Sequence, residues 1–134
     1  MKGHARQLMA AQVATAAPDT SLAEAAQELA SIVISALPVV DGSGQVVGIV
    51  TESDVLNALL QSASAETPVR TIMTRSVITV DEFASADSVV RLLRLKQLHH
   101  LPVTRQGSVV GLITPQDVIR YFVDHELPLP PDVA

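Results

Sequence analysis

The sequence predicts a mixed α/β (α+β) fold in which two tandem β-α-β-β-α units pack with pseudo-twofold symmetry. The first observation is a duplicated block, since "GIVTESDV" at 48–55 recurs as "GLITPQDV" at 111–118. The second is that residues 5–36 align without a gap on residues 69–100. A unit of about 60 residues buries little of its own surface and is only marginally stable alone. We therefore expect the two copies to pack against each other.

The elements of each copy follow from its apolar pattern. A short strand, "QVATA" or "SVITV", opens the copy, and a helix follows. The first of these helices begins at Ser21, which forms a capping-box pattern with Glu24 and precedes apolar residues at helical spacing. Next comes a hairpin, because Asp-Gly or Gln-Gly separates two apolar runs. A second helix, "ESDVLNALLQ" or "PQDVIRYFVDH", completes the copy.

The copies have clear boundaries in the sequence. The first copy is predicted at 5–60 and the second at 69–125, with a small polar linker at 61–68 between them. The remaining stretch, 126–134, is rich in proline and is predicted to be a flexible tail.

The Thr-x-x-Asp motif at the start of each second helix has two interpretations. Thr51 with Asp54, and Thr114 with Asp117, fit a capping box, and Pro115 falls at the first helical position, where proline is favoured. Local structure alone therefore explains both motifs. The same carboxylate can also accept two hydrogen bonds from a vicinal diol, as an acidic residue does for ribose in the Rossmann fold.

The whole block of Leu-Pro-Val, a hairpin, Val-Val-Gly and Thr-x-x-Asp-Val resembles the CBS domain. The two copies together resemble a tandem CBS pair, or Bateman module, over roughly residues 5–123. The resemblance implies a non-catalytic regulatory or sensor module. Such a module would bind an adenosine-containing ligand (AMP, ADP, ATP or S-adenosylmethionine) between the two motifs and signal through a conformational or dimer change.

The resemblance also implies two ligand sites, each shared between the copies. In the family pattern the aspartate holds the ribose hydroxyls, and the base lies on the other copy. The first site is expected at Gln12, Val13, Ile34, Ser35, Ala36, Thr114, Gln116 and Asp117. The second is expected at Arg75, Ser76, Val77, Leu98, His99, His100, Thr51, Ser53 and Asp54. The second site is the expected phosphate site, because arginine and histidine can meet an anion.

Composition and missing motifs argue against several classes of function. The net charge of -5 does not suit a nucleic-acid binder, and the absence of cysteine excludes thiolate chemistry. No Gly-rich phosphate loop, HExxH motif or catalytic triad is evident, so we expect no enzyme. His99 and His100 are adjacent and would point to opposite faces of an extended segment, which argues against a metal site.

The expected location is the cytoplasm, without a membrane anchor. No apolar run approaches the ~18 residues that a membrane span needs. The opening "MKGHARQLMAAQVATAA" has some features of a signal peptide, but the repeat explains the same residues.

We expect a symmetric homodimer that requires no cofactor. The apolar helix faces "VLNALL" (55–60) and "VIRYFV" (118–123) would supply the contact. An unidentified regulated protein would respond to the ligand. Two alternatives remain open at this point. One is a ligand-free structural dimerisation module whose aspartates serve only as caps, and the other is a regulatory fragment of a larger enzyme, channel or transporter.

Overall fold

The computed structural model of the chain describes residues 1–11, 13–31 and 34–128. A two-stranded hairpin and a three-stranded sheet, together with helices, confirm the predicted α/β (α+β) architecture of two related units. Of the predicted tail, residues 129–134 lie outside the described part. The elements in chain order are α1 (Ala5–Leu8), α2 (Leu22–Leu29), β1 (Ala36–Val40), β2 (Val46–Thr51), α3 (Glu52–Leu60), a 3-10 turn (Val69–Thr71), β3 (Val80–Asp81), α4 (Ala86–Leu95), β4 (Leu101–Arg105), β5 (Ser108–Ile113) and α5 (Pro115–His125).

The two hairpins share one register. Leu37 faces Val50 in the antiparallel β1–β2 pair, and Leu101 faces Ile113 in the equivalent β4–β5 pair. All four of these side chains are fully buried. Each hairpin therefore places its Leu-Pro-Val strand in the core and delivers the chain directly into the helix that starts at Thr-x-x-Asp.

The predicted opening strands are only partly formed. In the second copy β3 consists of Val80–Asp81, which pairs in parallel with β4. In the described part of the first copy, pairing is limited to a bridge between Ala16 and Val39. The predicted five-residue strands at 12–16 and 76–80 are therefore too long, as judged on residues 13–16 and 76–80, since Gln12 lies outside the described residues.

A proline explains why the first copy has the shorter pairing. In the second copy the N–H of Glu82 donates to the carbonyl of Thr104 (2.9 Å) and extends the ladder past β3. The equivalent residue in the first copy is Pro18, 64 residues earlier, which has no N–H to donate. The ladder there ends after Ala16.

The first residues of each copy pack on the other copy. Ala5 and Leu8 of α1 are buried in the apolar cluster of the second copy, with residues such as Leu101. Conversely, Val69 of the 3-10 turn is buried in the cluster of the first copy, beside Leu37. The two units therefore exchange their leading segments and form one pseudo-symmetric body.

A third apolar cluster joins the two copies at their centre. It consists of Ala36, Ile49 and Leu112, with Val13 and Val77 packed against it. The leading segments run across this centre and hold the far copy through backbone hydrogen bonds. Two clefts open on either side of it, and each lies beside one Thr-x-x-Asp helix start.

Candidate functional site

The start of α5 forms the complete capping box that the sequence predicts. Asp117 Oδ2 accepts hydrogen bonds from the N–H (2.8 Å) and the hydroxyl (2.9 Å) of Thr114, and the Asp117 N–H donates to Thr114 Oγ1 (3.3 Å). Pro115 occupies the first helical position. Both contacts to the carboxylate use Oδ2. Among the residues that the structure describes, none donates a hydrogen bond to Asp117 Oδ1.

The start of α3 repeats the two threonine contacts to the carboxylate and adds a third contact. Asp54 Oδ2 accepts from the N–H (2.9 Å) and the hydroxyl (3.1 Å) of Thr51. Asp54 Oδ1 accepts a further hydrogen bond from the hydroxyl of Thr74 at 3.1 Å. The two aspartates therefore occupy equivalent positions but differ in the number of hydrogen bonds that each carboxylate already accepts.

The first cavity, which we call the Asp117 cleft, has a volume of about 180 Å³. It brings together every predicted residue of the first site except Gln12, which lies outside the described residues. Three further residues line it that the prediction missed: Ala10, Ala14 and Leu112. The full lining is Ala10, Val13, Ala14, Ile34, Ser35, Ala36, Leu112, Thr114, Gln116 and Asp117.

A neighbouring cavity of about 250 Å³ shares Ala10 and Asp117 with the Asp117 cleft. Arg120, Tyr121 and His125 of α5 also line it, and the Tyr121 and His125 rings stack at 4.3 Å between centroids. Asp117 therefore lies between an apolar cavity and a second, more polar one. A ligand hydrogen-bonded to Asp117 would have space both in the Asp117 cleft and in the neighbouring cavity.

The second cavity, the Asp54 cleft, is larger, at about 480 Å³. Seven of the nine residues predicted for the second site line it, whereas Asp54 and Arg75 do not. The prediction missed several others, of which Thr74 is the most informative. The full lining is Ile49, Thr51, Glu52, Ser53, Thr74, Ser76, Val77, Ile78, Gln97, Leu98, His99 and His100.

The basic residues expected to bind a phosphate in the Asp54 cleft are poorly suited to that role. The Arg75 guanidinium donates to the carbonyl of Arg70 at 2.9 Å, within the same leading segment. Burial lowers the pKa of His100 below its ordinary value of 6.5, and repulsion from His99 adds to this while Glu52 opposes it. His100 is therefore neutral near pH 7 and offers no full positive charge to an anion.

The lowered pKa of His100 predicts acid sensitivity. Below pH 6.5 the unfolded chain takes up a proton at this ring that the folded chain resists, so stability falls as the pH drops from 6.5 toward the lowered pKa. His100→Gln should flatten this part of the profile of unfolding free energy against pH, measured by urea denaturation. His4→Gln, remote from the cleft, is the matched control. Equal slopes in wild type and His100→Gln would contradict the account.

Within the described ranges, no group of three His, Cys, Asp or Glu side chains is placed to hold a metal ion. No helix there is both long and apolar enough to span a bilayer.

The model of the CBS domain family matches residues 5–61 and again residues 69–124. This chain belongs to the CBS domain family. The two matches confirm the predicted resemblance to a tandem CBS pair.

Solved and curated relatives agree with this assignment. The CBS domain pair of protein MJ0100, solved in complex with 5′-methylthioadenosine and S-adenosyl-L-methionine, superposes with a TM-score of 0.82 at 31% identity. The match covers 94% of this chain and 100% of that one. A CBS domain-containing protein of Dictyostelium discoideum is 29% identical over 143 residues, with 98% of this chain and 99% of the relative covered.

Other relatives carry the CBS pair as part of a longer chain. Inosine-5'-monophosphate dehydrogenase of Mycobacterium leprae is 39% identical over 108 residues, which is 79% of this chain. The matched region is 20% of that enzyme, so this chain spans about a fifth of its length. CBS pairs therefore occur both as small proteins and as parts of enzymes.

Proposed function

We propose that this CBS pair is a non-catalytic regulatory module that binds an adenosine-containing ligand through the Asp117 cleft. The observation that carries the proposal is that Asp117 lines this cavity while no described residue donates a hydrogen bond to its Oδ1. A ribose supplies two adjacent hydroxyl donors that suit this acceptor, as in dinucleotide-binding folds. Thr114 orients the carboxylate through its two hydrogen bonds to Oδ2.

The lining of the Asp117 cleft supports a nucleoside rather than a purely polar ligand. Val13, Ile34 and Leu112 offer an apolar surface for a base, and Gln116 and Ser35 add polar groups near it. An apolar cavity with a few convergent polar groups is the usual form of a small-molecule site. The adjoining cavity gives room for a substituent on the 5′ carbon of the ribose.

The relative MJ0100 supports the ligand class. Its CBS pair was solved with two adenosine derivatives bound, and 31% of aligned residues are identical. Both of those ligands carry a ribose diol. The proposed ligands for this chain are therefore AMP, ADP, ATP, 5′-methylthioadenosine and S-adenosylmethionine.

Isothermal titration calorimetry with these five ligands tests the proposal. Wild type should bind at least one of them at submillimolar concentration. The double variant Asp54→Asn/Asp117→Asn should lose that binding, because an amide nitrogen cannot accept a ribose hydroxyl. 2′-Deoxy-AMP, which lacks one hydroxyl, should bind more weakly than AMP. The absence of binding by wild type at millimolar concentration would favour a ligand-free structural role instead.

The proposal includes a symmetric homodimer in the cytoplasm as the signalling unit. Exposed apolar side chains lie along α3 and α5, where Leu56, Leu59 and Ile119 are each more than half exposed. Exposed apolar surface of this kind commonly marks a contact with another protein. Ligand binding would shift the arrangement of the two copies or of the two chains, and an unidentified regulated protein would respond.

A charge on α5 should separate the dimer. Phe122 is 42% exposed on this helix. The change Phe122→Glu would place a carboxylate in the apolar contact, and we expect sedimentation to shift from dimer to monomer at high micromolar concentration. Leu95→Glu is the matched control, since Leu95 is 71% exposed on α4, outside the proposed contact. A monomeric wild type at that concentration would remove the basis for this part of the proposal.

A second candidate function is a regulatory segment acting on a larger enzyme. It is favoured by the dehydrogenase relatives, in which the matched CBS region is about a fifth of the chain. Both candidates place the ligand in the same cleft. They differ in whether the protein that responds lies on the same polypeptide, which the length of the complete coding sequence decides.

A further inference from the structure

The two clefts differ at one pair of equivalent positions. Ala10 and Thr74 lie 64 residues apart in the repeat. The N–H of Ala10 donates to the carbonyl of Leu112 at 2.9 Å, and the N–H of Thr74 donates to that of Ile49 at the same distance. The backbone therefore places both side chains alike, each next to a Thr-x-x-Asp helix start. Only Thr74 carries a hydroxyl, and it donates to Asp54 Oδ1 at 3.1 Å.

This hydroxyl changes how many hydrogen bonds each aspartate can still accept. An ionised carboxylate has about four acceptor positions. At Asp117, Thr114 uses two of them on Oδ2, and both positions of Oδ1 are left among the described residues. At Asp54, Thr51 uses two and Thr74 uses a third. A vicinal diol donates two hydroxyls, so only Asp117 can accept both at one oxygen.

The position of the two carboxylates agrees with this difference. Asp117 lines the Asp117 cleft and also its neighbouring cavity, whereas Asp54 does not line the cavity beside it. Volume favours the other cleft, because the Asp54 cleft is the larger. For a diol ligand we expect the available acceptor positions to outweigh volume and to favour the Asp117 cleft. One hydrogen bond to a charged group changes affinity by about tenfold or more.

We propose that Thr74 makes the two clefts unequal. A ribose-containing ligand fills the Asp117 cleft first and binds in the Asp54 cleft at least about tenfold more weakly. Thr74 is thus a specificity-determining residue that sets how many ligands the module holds at a given concentration. This inference rests on the proposed function, because it concerns which cleft takes the ligand.

Exchange of the hydroxyl between the two positions tests the inference. AMP and S-adenosylmethionine are titrated by calorimetry into wild type, Thr74→Val, Thr74→Ser and Ala10→Thr. Both positions are exposed, so none of these changes should unfold the protein, which thermal unfolding verifies. Asp54→Asn and Asp117→Asn assign each measured affinity to its cleft.

The expected pattern has three parts. Thr74→Val, which removes the hydroxyl but keeps the shape of the side chain, should raise the ligand affinity of the weaker site about tenfold. Thr74→Ser, which keeps the hydroxyl, should match wild type. Ala10→Thr places a hydroxyl beside Asp117 and should weaken the tighter site about tenfold.

Two results would overturn the inference and leave the proposed function standing. One is a wild type that binds ligand but whose two affinities are unchanged by Thr74→Val and Ala10→Thr. The other is a tighter site that is abolished by Asp54→Asn and not by Asp117→Asn. If wild type binds neither of these ligands nor ADP, ATP or 5′-methylthioadenosine at millimolar concentration, the proposed function and this inference both fail.

Discussion

Asp117→Asn is expected to weaken binding of AMP or S-adenosylmethionine by about tenfold to a hundredfold. The Thr114 N–H requires an acceptor, so the new amide turns its oxygen toward Thr114, where Oδ2 lies in the wild type. The amide nitrogen then takes the place of Oδ1. It donates hydrogen bonds and cannot accept one from a ribose hydroxyl. Calorimetry measures the affinity, and urea denaturation measures whether the cap is kept.

Asp54→Asn is the matched control for that substitution. It changes the equivalent residue at the start of α3, where Thr74 already holds Oδ1. We expect less than about a threefold change in the affinity of the tighter site, since Asp54 does not line the Asp117 cleft and a charge change outside that cleft is screened by solvent. A loss as large as that of Asp117→Asn would show that the two carboxylates act together, contrary to the account.

Gly111→Ala is expected to lower the free energy of unfolding by about 1–3 kcal/mol. A Cβ at Gly111 would meet the Met9 side chain, with Cγ at 2.7 Å, and the carbonyl oxygen of Ala10 at 3.0 Å. That carbonyl accepts the N–H of Leu112 at 3.1 Å and ties the leading segment of the first copy to the second. The added methyl would displace this segment and Ala10, which lines the Asp117 cleft. Ligand affinity should therefore fall together with stability.

Gly48→Ala makes the same change in the other copy. There the three nearest atoms belong to the side chain of Met73, with Cγ at 2.8 Å and Cε at 3.1 Å. A methionine side chain can adopt another rotamer at little cost. We expect a smaller loss of stability than for Gly111→Ala, compared by urea denaturation of both variants. Equal losses would mean that the backbone contact at Ala10 is not what makes Gly111 sensitive.

Much of the fold follows from the repeat in the sequence. The Leu-Pro-Val and Val-Val-Gly segments are apolar runs on either side of a turn, and Pro115 lies at the start of α5, so these elements could be predicted from local rules. The opening strands were predicted too long, because pairing there depends on partners far away in the chain. The short α1 and the 3-10 turn have too few residues for a periodic pattern to indicate them.

The candidate site was predictable in its membership but not in its chemistry. The resemblance to a tandem CBS pair groups most of the residues that line the two clefts. The direction of the Arg75 side chain could not be predicted, because its partner is a backbone carbonyl, that of Arg70, and carbonyls carry no sequence signal. The difference between Ala10 and Thr74 is visible in the alignment. Its effect on the aspartates becomes evident only from the 3.1 Å hydrogen bond between Thr74 and Asp54 in the structure.

Ribose binding at Asp117 can be seen in a crystal structure of the protein grown with S-adenosylmethionine, and separately with AMP. We expect ligand density in the Asp117 cleft, with both ribose hydroxyls about 2.5–3.0 Å from Asp117 Oδ1. We also expect the base to contact the apolar wall formed by Val13 and Ile34. Density in the Asp54 cleft alone, or two empty clefts at millimolar ligand, would contradict this expectation.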